Sequence, residues 1–189
     1  MTRIAVFASG SGSNAENIAN YFSNNDNVEI SLILTNKKNA FVLERAKKLN
    51  ITSLVFNKPQ FLNSDDIVSV LIEKEIGLVV LAGFLLKIPE NMIKAFPNKI
   101  VNIHPALLPK FGGKGMYGDN VHKAVVENKE TESGITIHYV NENYDEGKII
   151  FQAKCPVLPA DTYENVAAKI HELEYEHFPK TIDFVIKNS

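Results

Sequence analysis

One cysteine, almost no net charge and no apolar run of membrane length are what the 189-residue sequence has least of, and each shortage excludes something. A lone Cys155 cannot form an internal disulfide, and it fits a reducing compartment. Because it precedes Pro156 in an expected strand, it reads as a buried structural thiol and not a nucleophile. Twenty Lys and Arg against 22 Asp and Glu leave a net charge of -2, with no global bias toward nucleic acid or a membrane surface. No apolar segment approaches the roughly 20 residues of a membrane span. The start, Met1 to Phe7, has one charge and a short apolar run, which is a first strand and not a signal peptide. A cytoplasmic protein is expected. No His/Cys cluster has zinc-ligand spacing, and no repeat, low-complexity tract or linker interrupts the chain. What is present is 45% apolar residues, ample for the core of one domain over 1–189.

The pattern along the chain is that of repeated βα units. Ile4 to Ala8 is a near-continuous apolar strand, as when both faces are covered. Ala15 to Phe22 is helical, Val28 to Leu34 a second strand, and Ala40 to Leu49 an amphipathic helix. Ile51 to Phe56 is a third strand, with Asn57-Lys58-Pro59 as a loop. Asn63, Ser64 or Asp65 caps a helix running to about Glu75. Leu78 to Ala82 is a fourth strand, and Pro89 starts a short helix over Glu90 to Ala95. Asp119 or Asn120 caps a helix containing His122 and Lys123. Gly134 to Val140 and Lys148 to Cys155 form a hairpin around the polar turn Asn141 to Gly147. Asp161 or Thr162 caps a last helix through about His177, with Pro179 as its break. The expected fold is α/β, Rossmann-like: a mostly parallel twisted sheet with helices on both faces and a C-terminal antiparallel hairpin. Its N-terminal half covers about 1–100 and its C-terminal half about 101–189.

Three stretches carry chemistry. Ser9-Gly10-Ser11-Gly12-Ser13-Asn14 joins the first strand to the first helix, the geometry in which free N–H groups and a helix dipole meet an anion. Gly10-x-Gly12-x-x-Ala15 satisfies a relaxed dinucleotide fingerprint, but the second strand ends in Thr35-Asn36-Lys37-Lys38, without the acidic residue a ribose would need. A phosphate cradle or a merely tight turn remains. Lys99 to Pro105 is a short strand stopped by Pro105. Its period of two puts Asn102 and His104 on one side, at the end where parallel sheets bind ligands. An amide that donates to an oxyanion and an imidazole that titrates near neutrality suit carbonyl chemistry. A capped strand end with a satisfied histidine has the same appearance. The long connection from Pro105 to Gly118, rich in glycine at 112, 113, 115 and 118, has the character of a functional loop.

Together these stretches resemble the folate-dependent formyltransferases, on the branch that acts on glycinamide ribonucleotide. The resemblance runs from Ile4 to about Phe184. It rests on the Ser9 to Asn14 turn, Leu81-Ala82-Gly83-Phe84, Asn102-Ile103-His104-Pro105-Ala106-Leu107-Leu108-Pro109, Gly134-Ile135-Thr136-Ile137-His138 and Asp145-Glu146-Gly147-x-Ile149-Ile150-x-Gln152. It implies the formyltransferase fold and transfer of a formyl group from the co-substrate 10-formyltetrahydrofolate to the primary amine of glycinamide ribonucleotide, in purine biosynthesis, without a metal. It implies a catalytic set of Asn102, His104 and Asp145. Asn102 and a protonated His104 would stabilise the tetrahedral oxyanion, and Asp145 would orient the ring and assist proton transfer. Gly10, Ser11, Gly12, Ser13 and Asn14 would hold the substrate phosphate, with Glu174 and His171 as further substrate contacts. Folate would lie against Leu85, Leu86, Lys87 and Ile88, Asn102, and the turn residues Asn141, Glu142, Asn143, Tyr144 and Asp145. His138 would support the site. Lys58 and Lys110 are candidates for the glutamyl tail of folate, and Gly112 to Gly118 for a mobile loop.

The sequence also departs from the family. Leu85-Leu86-Lys87-Ile88 stands where many members have Met-Arg-Ile-Leu, and an Arg that some place near Phe61 to Asp65 has no counterpart. The partners expected are the two small molecules, with no nucleic acid and no membrane, in a monomer or homodimer. Formyltransferases for other amines and a formyltetrahydrofolate hydrolase would share the catalytic set. Those relatives are expected to carry further domains, for which the sequence from Arg3 to Ser189 leaves no room. A non-enzymatic nucleotide-binding module would be expected to lose part of the set.

Overall fold

The computed structural model describes residues 1–188. The chain divides into two compact units, Met1–Val101 and Asn102–Ser189. The first holds β1 (Thr2–Phe7), α1 (Ser13–Phe22), β2 (Val28–Thr35), α2 (Val42–Lys48), β3 (Ser53–Val55), α3 (Lys58–Asn63), α4 (Asp66–Glu73), β4 (Ile76–Leu81) and α5 (Glu90–Ala95). β5 (Ile100–His104) begins there and ends in the second unit, which adds α6 (Asp119–Glu127), β6 (Glu132–Tyr139), β7 (Ile149–Pro156) and α7 (Tyr163–Lys187). The strand order is β3-β2-β1-β4-β5-β6-β7, mostly parallel, with β6 and β7 antiparallel. The expected α/β class, a mostly parallel sheet with a C-terminal antiparallel hairpin, is therefore observed.

β1 lies between parallel neighbours, Ile4 opposite Ile30 of β2 and Leu78 of β4. Ile4 to Phe7 are fully buried, which is why the strand is apolar at successive positions and not at alternate ones. The Phe7 ring meets Phe84, Phe56 and Phe61 at centroid distances of 5.2, 6.0 and 6.1 Å. Burying such a ring stabilises by roughly 1.5–3 kcal/mol. This cluster anchors the strand whose end delivers Ser9 and Gly10.

Two readings of the first unit change. Asn57-Lys58-Pro59 is not a loop: Asn57 caps α3, its side chain accepting from Gln60 N at 2.9 Å while Gln60 Oε1 accepts from Asn57 N at 3.1 Å. The capping pair three residues apart, with Pro59 in the first turn, was the missed signal. The third strand is also shorter than Ile51 to Phe56, keeping only Ser53–Val55 against β2.

In the second unit, Thr136 pairs with Gln152 and His138 with Ile149, and the register shifts between Ile137 and His138. Such a shift re-aims side chains, here at His138. α6 is capped by Gly118, at φ 52°, and not by Asp119 or Asn120. Thr162 caps α7 with Asn165 in a reciprocal box, but the helix does not break at Pro179. Phe178, Ile182 and Val185 are buried on both sides of that proline. This burial outweighs one lost backbone hydrogen bond. Cys155 is only half-buried, yet burial pushes its thiol above the ordinary range, against a nucleophilic role.

Candidate active site

The end of β5, the loop after it, and the β6–β7 hairpin assemble the polar cluster of the second unit. Asn102 is half-buried, while His104 and His138 are buried. His138 Nδ1 lies 2.9 Å from the Tyr139 carbonyl oxygen, which only accepts, so Nδ1 carries the proton. The other ring nitrogen, Nε2, then accepts from Asn102 Nδ2 at 3.1 Å. Burial, first, and the neighbouring His104 hold His138 below the ordinary histidine range, against the opposing pull of the Tyr139 carbonyl and Asp145. A neutral His138 thus fixes one face of the Asn102 amide and leaves its second N–H free to donate elsewhere.

Asp145 closes the cluster from the hairpin turn. Its carboxylate is 3.7 Å from His104 Nδ1 and 3.7 Å from His138 Nε2, and it accepts from Gly113 N at 2.9 Å. Asp145 sits at φ 54°, a conformation that Asp and Asn tolerate better than other side chains with a Cβ. His104 Nε2 donates to Phe111 O at 2.7 Å. The loop of residues 109–118 therefore touches both His104 and Asp145 through its own backbone.

The chain leaving β5 is held by Thr136 and Gln152. The Thr136 hydroxyl donates to Ala106 O at 2.7 Å and accepts from Leu108 N at 3.0 Å and Gln152 Nε2 at 2.8 Å. Gln152 Nε2 also donates to Leu108 O at 3.1 Å. Thr136 is buried, and every hydrogen-bonding capacity of its hydroxyl is used. His122, on α6, is a further buried histidine, 3% exposed, with Nδ1 unpartnered. Burial, then His171, and weakly His104 push its proton affinity down, while Asp119 opposes them. Glu174 is buried on α7; His171 is exposed there, its ring 6.3 Å from that of Tyr175.

Of the other sequence-predicted residues, Gly10 to Asn14, Lys58 and Leu85 to Ile88 belong to the first unit, and Lys110 and Asn141 to Tyr144 to the second. Gly12, at φ 72°, caps α1, so that Ser13 and Asn14 already lie in the first turn of that helix. An added Cβ there would lie 2.3 Å from Val42 Cγ2, so only glycine fits. Ser9 is buried; its hydroxyl donates to Asn36 Oδ1 at 2.7 Å and accepts from Leu85 N at 3.1 Å. The turn after β1 and the segment after β4 are thereby tied together. Leu85 and Lys87 are exposed, Leu86 half-buried and Ile88 buried. Asn141 is half-buried, and Glu142, Asn143 and Tyr144 are exposed on the hairpin turn. Lys58 is exposed on α3, and Lys110 pairs with Glu130 at 3.0 Å.

Sequence reasoning missed Phe111 and Gly113, which act through backbone atoms and leave no side-chain signature. It also passed over Thr136, Gln152 and His122 as site-shaping residues; the first two stand opposite each other on neighbouring strands, a signal that pairing alone could have given. Among the described residues no group of three or more His, Cys, Asp or Glu side chains is arranged to hold a metal ion. Nor is any described helix long and apolar enough to cross a membrane.

Comparison with known proteins gives a consistent result. A family model described as formyl transferase matches residues 2–182. The chloroplastic phosphoribosylglycinamide formyltransferase of Arabidopsis thaliana is 42% identical over 186 residues, covering 95% of this chain and 64% of the relative. The Haemophilus influenzae phosphoribosylglycinamide formyltransferase is 36% identical over 187 residues, covering 96% of this chain and 86% of the relative. The chain thus spans less than two thirds of the Arabidopsis relative and most of the bacterial one. Among solved structures, the phosphoribosylglycinamide formyltransferase of Anaplasma phagocytophilum superposes with a TM-score of 0.90 at 36% identity, covering 99% of this chain and 88% of its own. That of Streptococcus pneumoniae gives 0.87 at 35% identity, covering 98% and 99%.

Proposed function

The chain belongs to the formyl transferase family, and from that premise we propose that it transfers the formyl group of 10-formyltetrahydrofolate to the primary amine of glycinamide ribonucleotide. The products are formylglycinamide ribonucleotide and tetrahydrofolate, in purine biosynthesis. The observation that carries this reading is the Asn102–His138 hydrogen bond beside the His104–Asp145 pair. It gives an oriented amide donor, an imidazole and a carboxylate in one partly buried cluster.

The amine nitrogen attacks the formyl carbon, and the carbonyl oxygen takes up the negative charge of the tetrahedral intermediate. The free N–H of Asn102 and His104 are the donors for that oxygen. Asp145 orients His104 and serves the proton that leaves the attacking nitrogen and arrives on the departing folate nitrogen, directly or through a water. Collapse of the intermediate breaks the bond from the formyl carbon to that folate nitrogen, so the formyl group is transferred without a covalent enzyme intermediate. On this reading the first unit offers the Gly10 to Asn14 turn to the ribonucleotide phosphate, and Glu174 and His171 are the second unit's own candidates for substrate contact. For the folate ring system the candidates are Leu85 to Ile88 in the first unit and the turn Asn141 to Asp145 in the second, each taken by itself. Since His104 Nε2 is engaged by Phe111 O, the 109–118 loop must shift before His104 can donate to the oxyanion.

The test is a spectrophotometric assay of folate product from 10-formyltetrahydrofolate, with and without glycinamide ribonucleotide. Product only with the amine present supports the transferase. Equal product without it would make the protein a hydrolase, and no product in either case would overturn the reading.

A further inference from the structure

The turn after β1 is gripped from behind by α2. Val42 N donates to Gly10 O at 3.2 Å, and Arg45 Nε donates to Ser11 O at 2.9 Å. Across a trans peptide the carbonyl and the following N–H point in opposite directions. Capture of these two successive carbonyls therefore turns the N–H groups of Ser11 and Gly12 away from α2, on the same side. Gly12 in the left-handed region completes the concave arrangement of amides that receives an anion. Among the described residues neither of the two amides donates to a backbone carbonyl.

Arg45 is itself fixed. Its guanidinium pairs with Glu16 in the first turn of α1 and lies 5.1 Å from the centroid of the Phe41 ring. The side chain is 22% exposed and that of Glu16 31%. With its charge paired to Glu16, Arg45 acts less as a field on an incoming anion than as a clasp on the Ser11 carbonyl. It bridges α2, the turn and the start of α1.

We propose that Arg45 is a positioning residue for the substrate phosphate: by holding the Ser11 carbonyl it aims the Ser11 and Gly12 amides at the phosphoryl oxygens. This rests on the reading of the Gly10 to Asn14 turn as the phosphate seat. Arg45 touches no reacting atom, so its effect falls on the binding of the phosphorylated substrate and not on formyl transfer.

The experiment compares the full chain with its Arg45→Met, Arg45→Lys and Glu16→Gln variants. It measures kcat, KM for each substrate, thermal midpoint, and calorimetric binding of ribose 5-phosphate. Arg45→Met is expected to raise KM for glycinamide ribonucleotide and Kd for ribose 5-phosphate about tenfold, the scale of one charge-assisted hydrogen bond. Its kcat and its KM for 10-formyltetrahydrofolate stay within about twofold. Lysine, whose compact ammonium lacks the planar fork with which arginine bridges two partners, recovers part of the loss. Unchanged KM and Kd in Arg45→Met would overturn the proposal. So would a parallel loss of kcat and both KM values with a lowered thermal midpoint, which marks a merely structural residue. If Arg45→Met does not fold, Glu16→Gln releases the guanidinium from its ion partner and is expected to raise the same KM several-fold; no change there overturns the proposal. Failure of the unmodified, active protein to bind ribose 5-phosphate would overturn the phosphate seat itself, and the proposal with it.

Discussion

His138 Nε2 accepts the Asn102 amide at 3.1 Å while His138 Nδ1 donates to the Tyr139 carbonyl at 2.9 Å, so one imidazole fixes the orientation of the amide. This relation sets a definite expectation. His138→Ala leaves Asn102 in place but free to rotate, and kcat is expected to fall about tenfold or more, with both KM values nearly unchanged. Removing the donor itself, in Asn102→Ala, is expected to cost ~10²–10³ in kcat. His138→Gln, whose side-chain oxygen can accept from Asn102, recovers part of the loss. Steady-state kinetics of the three variants check this; a normal kcat in His138→Ala would remove His138 from the orientation of Asn102.

Asp145 can be tested for its charge alone. Its φ of 54° is one that Asn also adopts readily, and an amide oxygen can keep the 2.9 Å bond from Gly113 N. Asp145→Asn is therefore expected to fold normally while kcat falls by ~10²–10⁴, the range for lost general acid–base assistance. The checks are turnover together with the thermal midpoint. Near-normal turnover in Asp145→Asn would exclude a role for its charge in proton transfer.

The legible parts of the chain were those in which side chains follow a period or a cap. The buried runs of β1 and β4, the alternation of Asn102 with His104, and α5 at Glu90–Ala95 are all legible in the sequence. α3 was missed because Asn57 and Gln60 announce a helix start over only six residues, too short for apolar periodicity to register. Pro179 misled in the other direction: local chemistry forbids a helix interior there, while burial of Phe178, Ile182 and Val185 demands one. Side-chain chemistry is legible at Asn102 and His104, whereas Asp145 alone reads as a turn residue and enters only through the family resemblance. The Phe111 carbonyl, the Gly113 amide and the tautomer of His138 depend on backbone direction, which no residue type encodes.

The buried histidines give stability a pH dependence with a definite sign. Both His122 and His138 are held below the ordinary value of 6.5, chiefly by burial. The unfolded chain therefore binds more protons than the native one once pH falls below that value, and stability is lost on acidification. The loss begins near the unfolded value and continues down through the lowered native one. The thermal midpoint is expected to drop between about pH 7.5 and about pH 5.5. His122→Asn, which removes one titrating ring, makes that drop smaller. Equal drops in the two proteins would show that His122 does not contribute.

The most specific stability prediction concerns Gly147, which carries no functional group. A Cβ there would lie 1.6 Å from the Tyr139 oxygen, 2.7 Å from the Tyr139 carbonyl carbon and 3.5 Å from His138 Nδ1. Backbone cannot yield as a flexible side-chain tip can, so Gly147→Ala must push the two strands of the hairpin apart. The cost is expected to be about 2–3 kcal/mol or more, in the overpacking range. The displaced atom is the same carbonyl that holds His138. Even where Gly147→Ala remains folded, His138 loses its anchor and Asn102 its orientation, so kcat falls in the manner expected for His138→Ala. Gly77 is the control: a Cβ there meets Thr2 Cγ2 at 3.4 Å, ordinary contact, and Gly77→Ala is expected to stay within about 1 kcal/mol of the parent. Urea unfolding and turnover of the two variants separate the cases, because a merely crowded hairpin would cost stability and leave kcat intact.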